Sequence, residues 1–234
     1  MQERIFTNEL SQHDTNVLLK GVYEWMMVGL LVSGLSAFMV VHSATLLHII
    51  FGNPYMIWVL FLIELGLVIA ISAGINKMDV STARVLFILF SVVDGMTLAS
   101  IFIVYTEASI ATTFFIAAAT FGVMSLYGYF TDTDLSSWGN LLFAALIGLI
   151  IAMIVNFFLQ SAAFEWWLSV IGVILFVGLT AYDTQKIKAL GEAMAEGSDA
   201  QSLGRVAVVG ALTLYLDFIN LFILMLEFFG NRRD

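Results

Sequence analysis

RVAVVGALTLYLDFINLFILMLEFF, residues 205–229, is the stretch that decides the fold. Its length suits a transmembrane helix, which needs about 20 predominantly apolar residues. Similar runs occur earlier in the chain, and they do not alternate polar and apolar residues as the strands of a membrane β-barrel do. They lie at 22–41, 57–75, 85–106, 109–130, 139–160 and 165–187. The sequence therefore predicts an all-α polytopic membrane protein with seven transmembrane helices.

The composition agrees with a membrane protein and excludes an ordinary water-soluble domain. Hydrophobic residues make up 61% of the chain and charged residues 12%, whereas about 25% of a soluble domain is charged. We expect one membrane domain at 21–230, between a polar cytoplasmic tail at 1–20 and a short C-terminal tail at 231–234. The net charge of −9 reflects in part solvated acids near the N terminus, and the lack of cysteine excludes disulfides and thiolate metal sites.

The distribution of lysine and arginine predicts the orientation, because basic flanks of membrane helices stay in the cytoplasm. The basic residues on one side of the membrane would be Arg4, Lys20, Lys77, Arg84, Lys186, Lys188 and Arg205. The first, third and fifth loops contain no lysine or arginine. This places the N terminus in the cytoplasm. Seven spans put Arg232 and Arg233 outside, against the rule, and a last segment that failed to cross would place every basic residue inside. We predict seven spans because residues 205–229 are long enough.

Small residues recur at helical spacing in two of the predicted helices. They are Gly66, Ala70 and Gly74 in the second helix and Ala144, Gly148 and Ala152 in the fifth. Such stripes let helix backbones approach closely within lipid, so they predict helix packing rather than a ligand site.

Four acids stand at membrane depth, where an ionisable group is costly and normally faces the interior of a helix bundle. They are Glu64, Asp94, Asp183 and Asp217, and no basic residue lies at a similar depth. At least some of them must be protonated, hydrogen-bonded or paired with a cation. Glu64, Asp94 and Asn220, which shares a polar helix stripe with Asp217, are candidates for an ion pathway.

Asp183 and Asp217 are the strongest candidates for a functional site. Their helices are joined by a predicted loop at 188–204, so we expect the two acids to be neighbours. Two carboxylates close together in a low dielectric cannot both stay ionised cheaply, so they should share a proton and titrate as a unit. Losing that proton would push the helices apart or attract a cation such as calcium, which prefers oxygen ligands. A protonated pair that only fixes helix packing is the alternative.

The chain carries no enzyme signature. It lacks a phosphate-binding glycine loop, a His-Glu-x-x-His helix and a Gly-x-Ser-x-Gly elbow. The Gly-x-Gly-Asp that an intramembrane aspartyl protease needs is missing around Asp217, and His42 and His48 are a poor metal pair because they are six residues apart. We expect neither an enzyme nor a bound cofactor, and no nucleic-acid partner.

Two segments resemble a known family. Thr180-Ala-Tyr-Asp-Thr-Gln-Lys186 and Gly210-Ala-Leu-Thr-Leu-Tyr-Leu-Asp-Phe-Ile-Asn-Leu-Phe222 are similar to the signature segments of the Bax inhibitor-1 family, also called the transmembrane Bax inhibitor motif family. Thr97-Leu-Ala-Ser-Ile-Phe-Ile-Val-Tyr105 and Ser125-Leu-Tyr-Gly-Tyr129 look like its bacterial branch. The resemblance covers nearly the whole chain and is closest to an inner-membrane member from a Gram-negative bacterium.

The resemblance implies a seven-helix bundle with the last helix central, and a pH-sensitive calcium leak governed by an aspartate pair. The paired aspartates of the family correspond to Asp183 and Asp217, and a glutamate of its second helix corresponds to Glu64. The family also has a basic latch, often arginine, near the end of that helix, for which Lys77 is the nearest candidate here. Asp94 stands where a neutral residue is expected and would add a cation contact.

The resemblance implies a second function as well, because some bacterial relatives resemble inhibitors or substrates of a membrane-anchored AAA protease. The N-terminal tail and the 188–204 loop would then be the contact surfaces. A proton-coupled transporter is a third hypothesis, and it requires a saturable substrate. The expected partners are therefore the lipid bilayer, calcium ions and protons, and the protease in the second hypothesis.

Overall fold

The computed structural model describes the backbone of residues 2–194 and 200–233, and the side chains of residues 15–194 and 201–233. In this part of the chain the secondary structure is helical. The α-helices are α1 (Gln2–Val41), α2 (Ala44–Phe51), α3 (Pro54–Gly74), α4 (Val80–Val104), α5 (Glu107–Phe130), α6 (Ser136–Leu159), α7 (Ala162–Met194) and α8 (Ala200–Phe229). A short 3₁₀ helix, Ile75–Lys77, follows α3.

Seven of these helices are long and apolar enough to cross a membrane. The spans are Thr15–Val41, Pro54–Lys77, Val80–Val104, Glu107–Phe130, Ser136–Leu159, Ala162–Met194 and Gln201–Phe229. The prediction of an all-α protein with seven transmembrane helices is therefore confirmed. Large apolar side chains that remain exposed on the spans, such as those of Leu31 and Phe115, suit contact with lipid acyl chains.

The helices extend further than hydropathy predicts. α1 begins at Gln2 and α7 continues to Met194. Hydropathy marks where a helix crosses lipid, whereas its hydrogen bonds continue through any good helix formers that follow, such as Lys188 and Leu190. The loop predicted at 188–204 is therefore helical up to Met194 and again from Ala200. Residues 195–199 of that loop, and the side chains of the first 14 residues of the predicted tail, lie outside the described residues.

The first predicted loop contains the additional helix α2. The hydroxyl of Ser43 accepts a hydrogen bond from the amide of Leu46 and so caps the start of α2. Asn53 caps α3 in the same way through the amide of Tyr55, and Pro54 occupies the first turn. Serine and asparagine are favoured N-caps, and proline fits a first turn because its missing N–H has no partner there. The single proline of the chain thus starts a helix.

The helices form two compact units, Met1–Val104 with Ala189–Tyr215 and Tyr105–Lys188 with Leu216–Asp234. In the first unit α4 packs against both α1 and α3. The approach of α1 and α4 is closest at Gly95, where an added Cβ atom would lie 2.3 Å from the carbonyl oxygen of Ser33. The rings of Phe87 and Phe90 lie edge-on to the ring of Tyr215. Aromatic packing thus fixes the Tyr215 end of the α8 segment in this unit.

The second unit has its own close helix contacts. α5 and α7 approach so closely at Gly128 that an added Cβ atom would lie 2.2 Å from the carbonyl oxygen of Ala181. α8 packs on α5 through Phe218, whose ring is edge-on to those of Phe114 and Phe121. Only glycine permits the first contact, because the neighbouring atom belongs to the backbone and cannot move aside.

The predicted small-residue stripes do not mark the close helix contacts. A Cβ atom added at Gly66 or Gly148 would meet no other atom within 4 Å. The spans of α3 and α6, which carry the stripes, are also the least buried, at 11% each. The prediction that these stripes mediate packing is therefore wrong. Spacing alone cannot distinguish a packed glycine from one facing lipid, because both lie in equally apolar sequence.

α8 is the most buried of the seven spans. The most apolar stretch of its span is 67% buried, whereas the corresponding stretch of each other span is at most 39% buried. Leu212, Leu214 and Leu221 are among its fully buried side chains. This burial agrees with what the family resemblance implies for the last helix, and it means that a polar side chain on α8 meets protein rather than lipid.

Candidate functional site

Asp217 is buried within the second unit. Only 5% of its surface is exposed, and its neighbour Phe218 packs among aromatic rings of α5. Its Oδ2 atom accepts no hydrogen bond from any N–H or hydroxyl group in the described part of the chain. A buried carboxyl oxygen without a donor is rare in proteins and requires a proton or a cation nearby.

Asp183 supplies the contact that Asp217 otherwise lacks. It is half-buried on α7, and its carboxyl group lies within hydrogen-bonding reach of the Asp217 carboxyl group. An ionised carboxylate can only accept hydrogen bonds, so a bond between two carboxyl groups exists only when one of them carries a proton. The structure therefore brings the two acids close enough for their carboxyl groups to interact.

One basic group acts on this pair from within the second unit. Lys186, one turn after Asp183 on α7, exerts an attractive charge on the Asp183 carboxyl group. Its ammonium group also lies 5.8 Å from the centre of the Tyr182 ring. The structure therefore places a basic group beside Asp183, on the same helix face.

The pair alone cannot hold a metal ion tightly. Calcium takes about six to eight oxygen ligands, and the described residues contain no group of three or more histidine, cysteine, aspartate or glutamate side chains that could hold a metal. Two carboxyl groups suit a brief contact with a passing cation instead.

Glu64 and Asp94 form a separate acidic cluster within the first unit. The hydroxyl of Thr97 donates to Glu64 Oε1, and the hydroxyl of Tyr215 donates to Asp94 Oδ2. The negative charge of Glu64 also acts on Asp94. These two predicted pathway residues are therefore electrostatic neighbours, each with a hydroxyl donor of its own.

Tyr215 is a site residue that the sequence reasoning missed. Besides bonding Asp94, its hydroxyl lies 2.6 Å from the hydroxyl of Ser33 on α1, which in turn donates to the carbonyl oxygen of Ser91 on α4. The tyrosine is fully buried. The available signal was a tyrosine within an otherwise apolar membrane helix, where its hydroxyl needs a partner.

The remaining predicted residues lie apart from these contacts. The side chain of Asn220 donates to the carbonyl oxygen of Leu216 in its own helix. Lys77, the candidate latch, is exposed at the end of the 3₁₀ helix. His42 bonds the carbonyl oxygen of Phe38, and His48 lies exposed in α2.

A polar cluster that the sequence analysis did not predict lies at the other end of α7 and α8. Ser169 donates to Glu227 over 2.8 Å, and Arg232 donates to Glu165 over 3.0 Å. Burial raises the pKa of Tyr105 above its usual 10.0. Interaction with Tyr105 raises the pKa of Arg232 above its ordinary value, so the guanidinium remains charged at any physiological pH.

Comparison with known proteins identifies the family. The family described as inhibitor of apoptosis-promoting Bax1 matches residues 15–234. The chain belongs to the Bax inhibitor-1 family. The match begins where the first membrane span begins, and it includes all four membrane acids. Membership in the Bax inhibitor-1 family confirms the resemblance seen in the two signature segments.

Curated relatives cover most of the chain. Inner membrane protein YbhL of Escherichia coli (strain K12) is 52% identical over 212 residues, which are 91% of this chain and 90% of that protein. An uncharacterized protein of Borreliella burgdorferi is 43% identical over 231 residues, 97% of this chain and 99% of that protein. Uncharacterized protein RP147 of Rickettsia prowazekii is 41% identical over 213 residues, with 91% and 89% coverage. The similarity to each of these relatives therefore extends over at least 91% of this chain.

Proposed function

We propose that this protein is a pH-sensitive calcium leak channel, gated by the proton that Asp183 and Asp217 share. The observation that carries the proposal is the proximity of two carboxyl groups, one of them almost fully buried with an oxygen that accepts no hydrogen bond from an N–H or hydroxyl group in the described part of the chain. A pair that only fixed helix packing would be expected to have its oxygens satisfied by fixed donors. The proposed activity is a conductance and involves no enzyme chemistry or cofactor.

Loss of the shared proton is the gating event. With the proton present, the hydrogen bond between the carboxyl groups holds α7 against α8. Without it, two negative charges about 4 Å apart repel each other by about 4 kcal/mol at an effective dielectric of 20. An energy of that size shifts a two-state equilibrium by about a thousandfold. The repulsion is relieved when the helices separate and a cation enters between the carboxylates.

The membrane setting follows from relatives and from charge. One relative is named as an inner membrane protein, and we propose the same membrane for this chain, with seven crossings. The basic residues before the first helix and in the even-numbered loops favour a cytoplasmic N terminus. In that orientation the Asp183 and Asp217 pair lies in the cytoplasmic half, and the Glu165 and Glu227 end of α7 and α8 faces outward.

Calcium flux into proteoliposomes tests the proposal. A calcium-sensitive dye inside the vesicles reports entry across a series of external pH values. Wild type should conduct with a pH dependence, and Asp217→Asn should lose that dependence because an amide donates to Asp183 without a titrating proton. Asp132→Asn makes the same chemical change at an exposed loop position and should behave as wild type. Absence of flux in wild type, or a pH dependence that survives Asp217→Asn, would exclude the gating pair.

The regulatory function remains a second proposal, with a membrane-anchored AAA protease as partner. Its contact surfaces would be the N-terminal tail and the segment that joins α7 to α8. Co-purification from native membranes, with and without the first 18 residues, tests it. A protease that is enriched only by the full chain would support this function, and equal recovery with the shortened chain would exclude the tail as the contact.

A further inference from the structure

The C-terminal strap, residues Gly230, Asn231 and Arg232, is fastened within the second unit by backbone and side-chain contacts. Arg232 forms an antiparallel bridge with Tyr105. The amide of Thr106 donates to the carbonyl oxygen of Asn231 over 3.1 Å. The amide of Asn231 donates to the hydroxyl of Ser109 over 2.9 Å. These contacts to one loop hold the strap in a fixed position.

The strap covers Tyr105. A Cβ atom added at Gly230 would lie 2.7 Å from the tyrosine ring, and Tyr105 is only 6% exposed although it lies between two helices. The guanidinium of Arg232 donates to Glu165 at the start of α7, and Tyr105 lies near enough to interact with it. The strap thus joins the α4–α5 connection to the first turn of α7.

The strap also closes one end of the contact between α7 and α8. Between the paired aspartates and the strap, the two helices are in close contact at Gly172, where an added Cβ atom would lie 2.7 Å from the side chain of Leu224. The contact then reaches Ser169 and Glu227, which bond each other. Glu227 lies close enough to Arg232 and Glu165 to be affected by both charges. Asp217 and Glu227 are ten residues apart on α8, a rise of about 15 Å.

Arg232 is therefore paired with Glu165, and its charge also acts on Glu227. Glu165 and Glu227 would otherwise face each other with like charge. The guanidinium is 62% exposed, and an exposed ion pair is worth about 0.2–1 kcal/mol. Such a contact opens readily, whereas a buried pair of this kind would not.

We propose that the strap is the external gate of the leak, held closed by Arg232 acting as a tethered cation between Glu165 and Glu227. This inference rests on the proposed calcium conductance. When the strap lifts, the two carboxylates face the outer solution and attract a calcium ion in place of the guanidinium. Arg232 thereby controls entry at one end of the α7–α8 contact, and the aspartate pair controls passage at the other.

A reversible lock on the strap provides the first test. Thr106 and Asn231 are the next pair of opposing residues beside the antiparallel bridge of Tyr105 and Arg232. Opposing residues in such a pair have Cα atoms about 4.5–5.5 Å apart, a distance that a disulfide spans. The chain has no cysteine, so Thr106→Cys with Asn231→Cys introduces the only pair. Calcium flux should fall at least fivefold on oxidation and recover on reduction, while each single cysteine variant should not respond to oxidation. Flux that is equal in the oxidised and reduced double variant would overturn the gate.

Charge removal at neighbouring positions provides the second test. Arg232→Ala should increase calcium flux several-fold. Arg233→Ala removes the same charge one residue later, where the partner Glu107 is 83% exposed, and should change flux less than twofold. Equal increases in both variants would indicate a general surface-charge effect and would overturn the role of Arg232.

Thiol labelling separates failure of the gate from failure of the conductance. Ser109→Cys places a thiol directly beneath the strap, and a membrane-impermeant maleimide applied from outside measures how often the strap lifts. Labelling should be several-fold faster when Arg232→Ala is added and unchanged when Arg233→Ala is added. Wild type that conducts no calcium would exclude the proposed function, and with it the gate. Conduction with equal labelling rates in the two backgrounds would exclude only the gate.

Discussion

The hydroxyl of Tyr215 donates a hydrogen bond to Oδ2 of Asp94, across 121 residues of sequence. The same hydroxyl contacts Ser33, so one tyrosine links α8 to α4 and α1 within the first unit. Asp94 is 8% exposed, and a buried carboxyl group that lost its donor would retain its desolvation cost. This bond is therefore a structural constraint on α8 that is separate from the aspartate pair.

Removing the Tyr215 hydroxyl should destabilise the protein. Tyr215→Phe leaves Asp94 without its hydroxyl donor, and an unsatisfied buried acceptor costs about 1–3 kcal/mol. Thermal unfolding in detergent micelles measures the loss. Tyr55→Phe removes a hydroxyl from a residue that is 76% exposed and should leave the midpoint unchanged. A Tyr215→Phe midpoint equal to that of wild type would show that the bond contributes nothing.

The two aspartates of the pair should behave as one titrating unit. Asp183→Asn and Asp217→Asn should each abolish the pH dependence of calcium flux, and the double variant should add little to either single change. Flux in proteoliposomes across a pH series measures all three. Additive effects of the two substitutions on flux would show that the acids act independently.

Gly128 should not tolerate a side chain. Gly128→Ala would place a Cβ atom 2.2 Å from the carbonyl oxygen of Ala181, so α5 and α7 would have to separate at a cost of about 1–3 kcal/mol. Gly148→Ala is the matched control, because its Cβ atom would meet nothing. We expect a lower unfolding midpoint for the first variant alone. Equal midpoints would show that the helices can adjust.

Asp79 should stabilise the start of α4 in a pH-dependent way. The hydroxyl of Thr82 donates to its carboxylate, and this bond together with nearby amide donors lowers the pKa of Asp79 below its usual 3.8. A lowered pKa means that the stabilisation is present at neutral pH and is lost as the pH falls through the folded-state pKa. Asp79→Ala should therefore lower the unfolding midpoint at pH 7, and the difference from wild type should shrink as the pH falls through the lowered pKa of Asp79. A difference that persists in acid would exclude a role for the charge.

Cysteine accessibility tests the proposed topology. Asn53→Cys, in the first loop, should react with an impermeant maleimide added outside intact cells, and Met78→Cys, in the second loop, should react only after the membrane is permeabilised. Arg233→Cys should react from outside, because seven crossings place the C terminus opposite the N terminus. Labelling of position 233 only after permeabilisation would mean that α8 does not cross.

The sequence was sufficient to predict the spans and the proximity of Asp183 to Asp217. Membrane burial produces long apolar runs that hydropathy detects directly, and Asp183 and Asp217 lie on consecutive helices where contact is expected. The link between Tyr215 and Asp94 was not predictable in the same way. It depends on which faces of α4 and α8 meet, and in lipid both faces of a helix are equally apolar.

The ends of helices and the contacts of the chain terminus were also beyond the sequence reasoning. In the sequence, the positive charges of Arg232 and Arg233 favoured a cytoplasmic C terminus. In the structure each of them pairs with a glutamate, Glu165 or Glu107. Ion pairs between residues 67 and 126 positions apart leave no trace in a local pattern.

The continuity of α8 bears on how an ion can be dehydrated. Transporters that strip water from sodium use unwound helices, whose free backbone carbonyls replace the hydration shell. α8 is unbroken from Ala200 to Phe229, so its interior carbonyls remain engaged in the helix. In the described part of the chain the pair offers the carboxyl oxygens of Asp183 and Asp217, and two carboxyl groups are too few to replace the water around calcium. We therefore expect the ion to pass with most of its hydration shell, and strontium and barium to permeate almost as well as calcium.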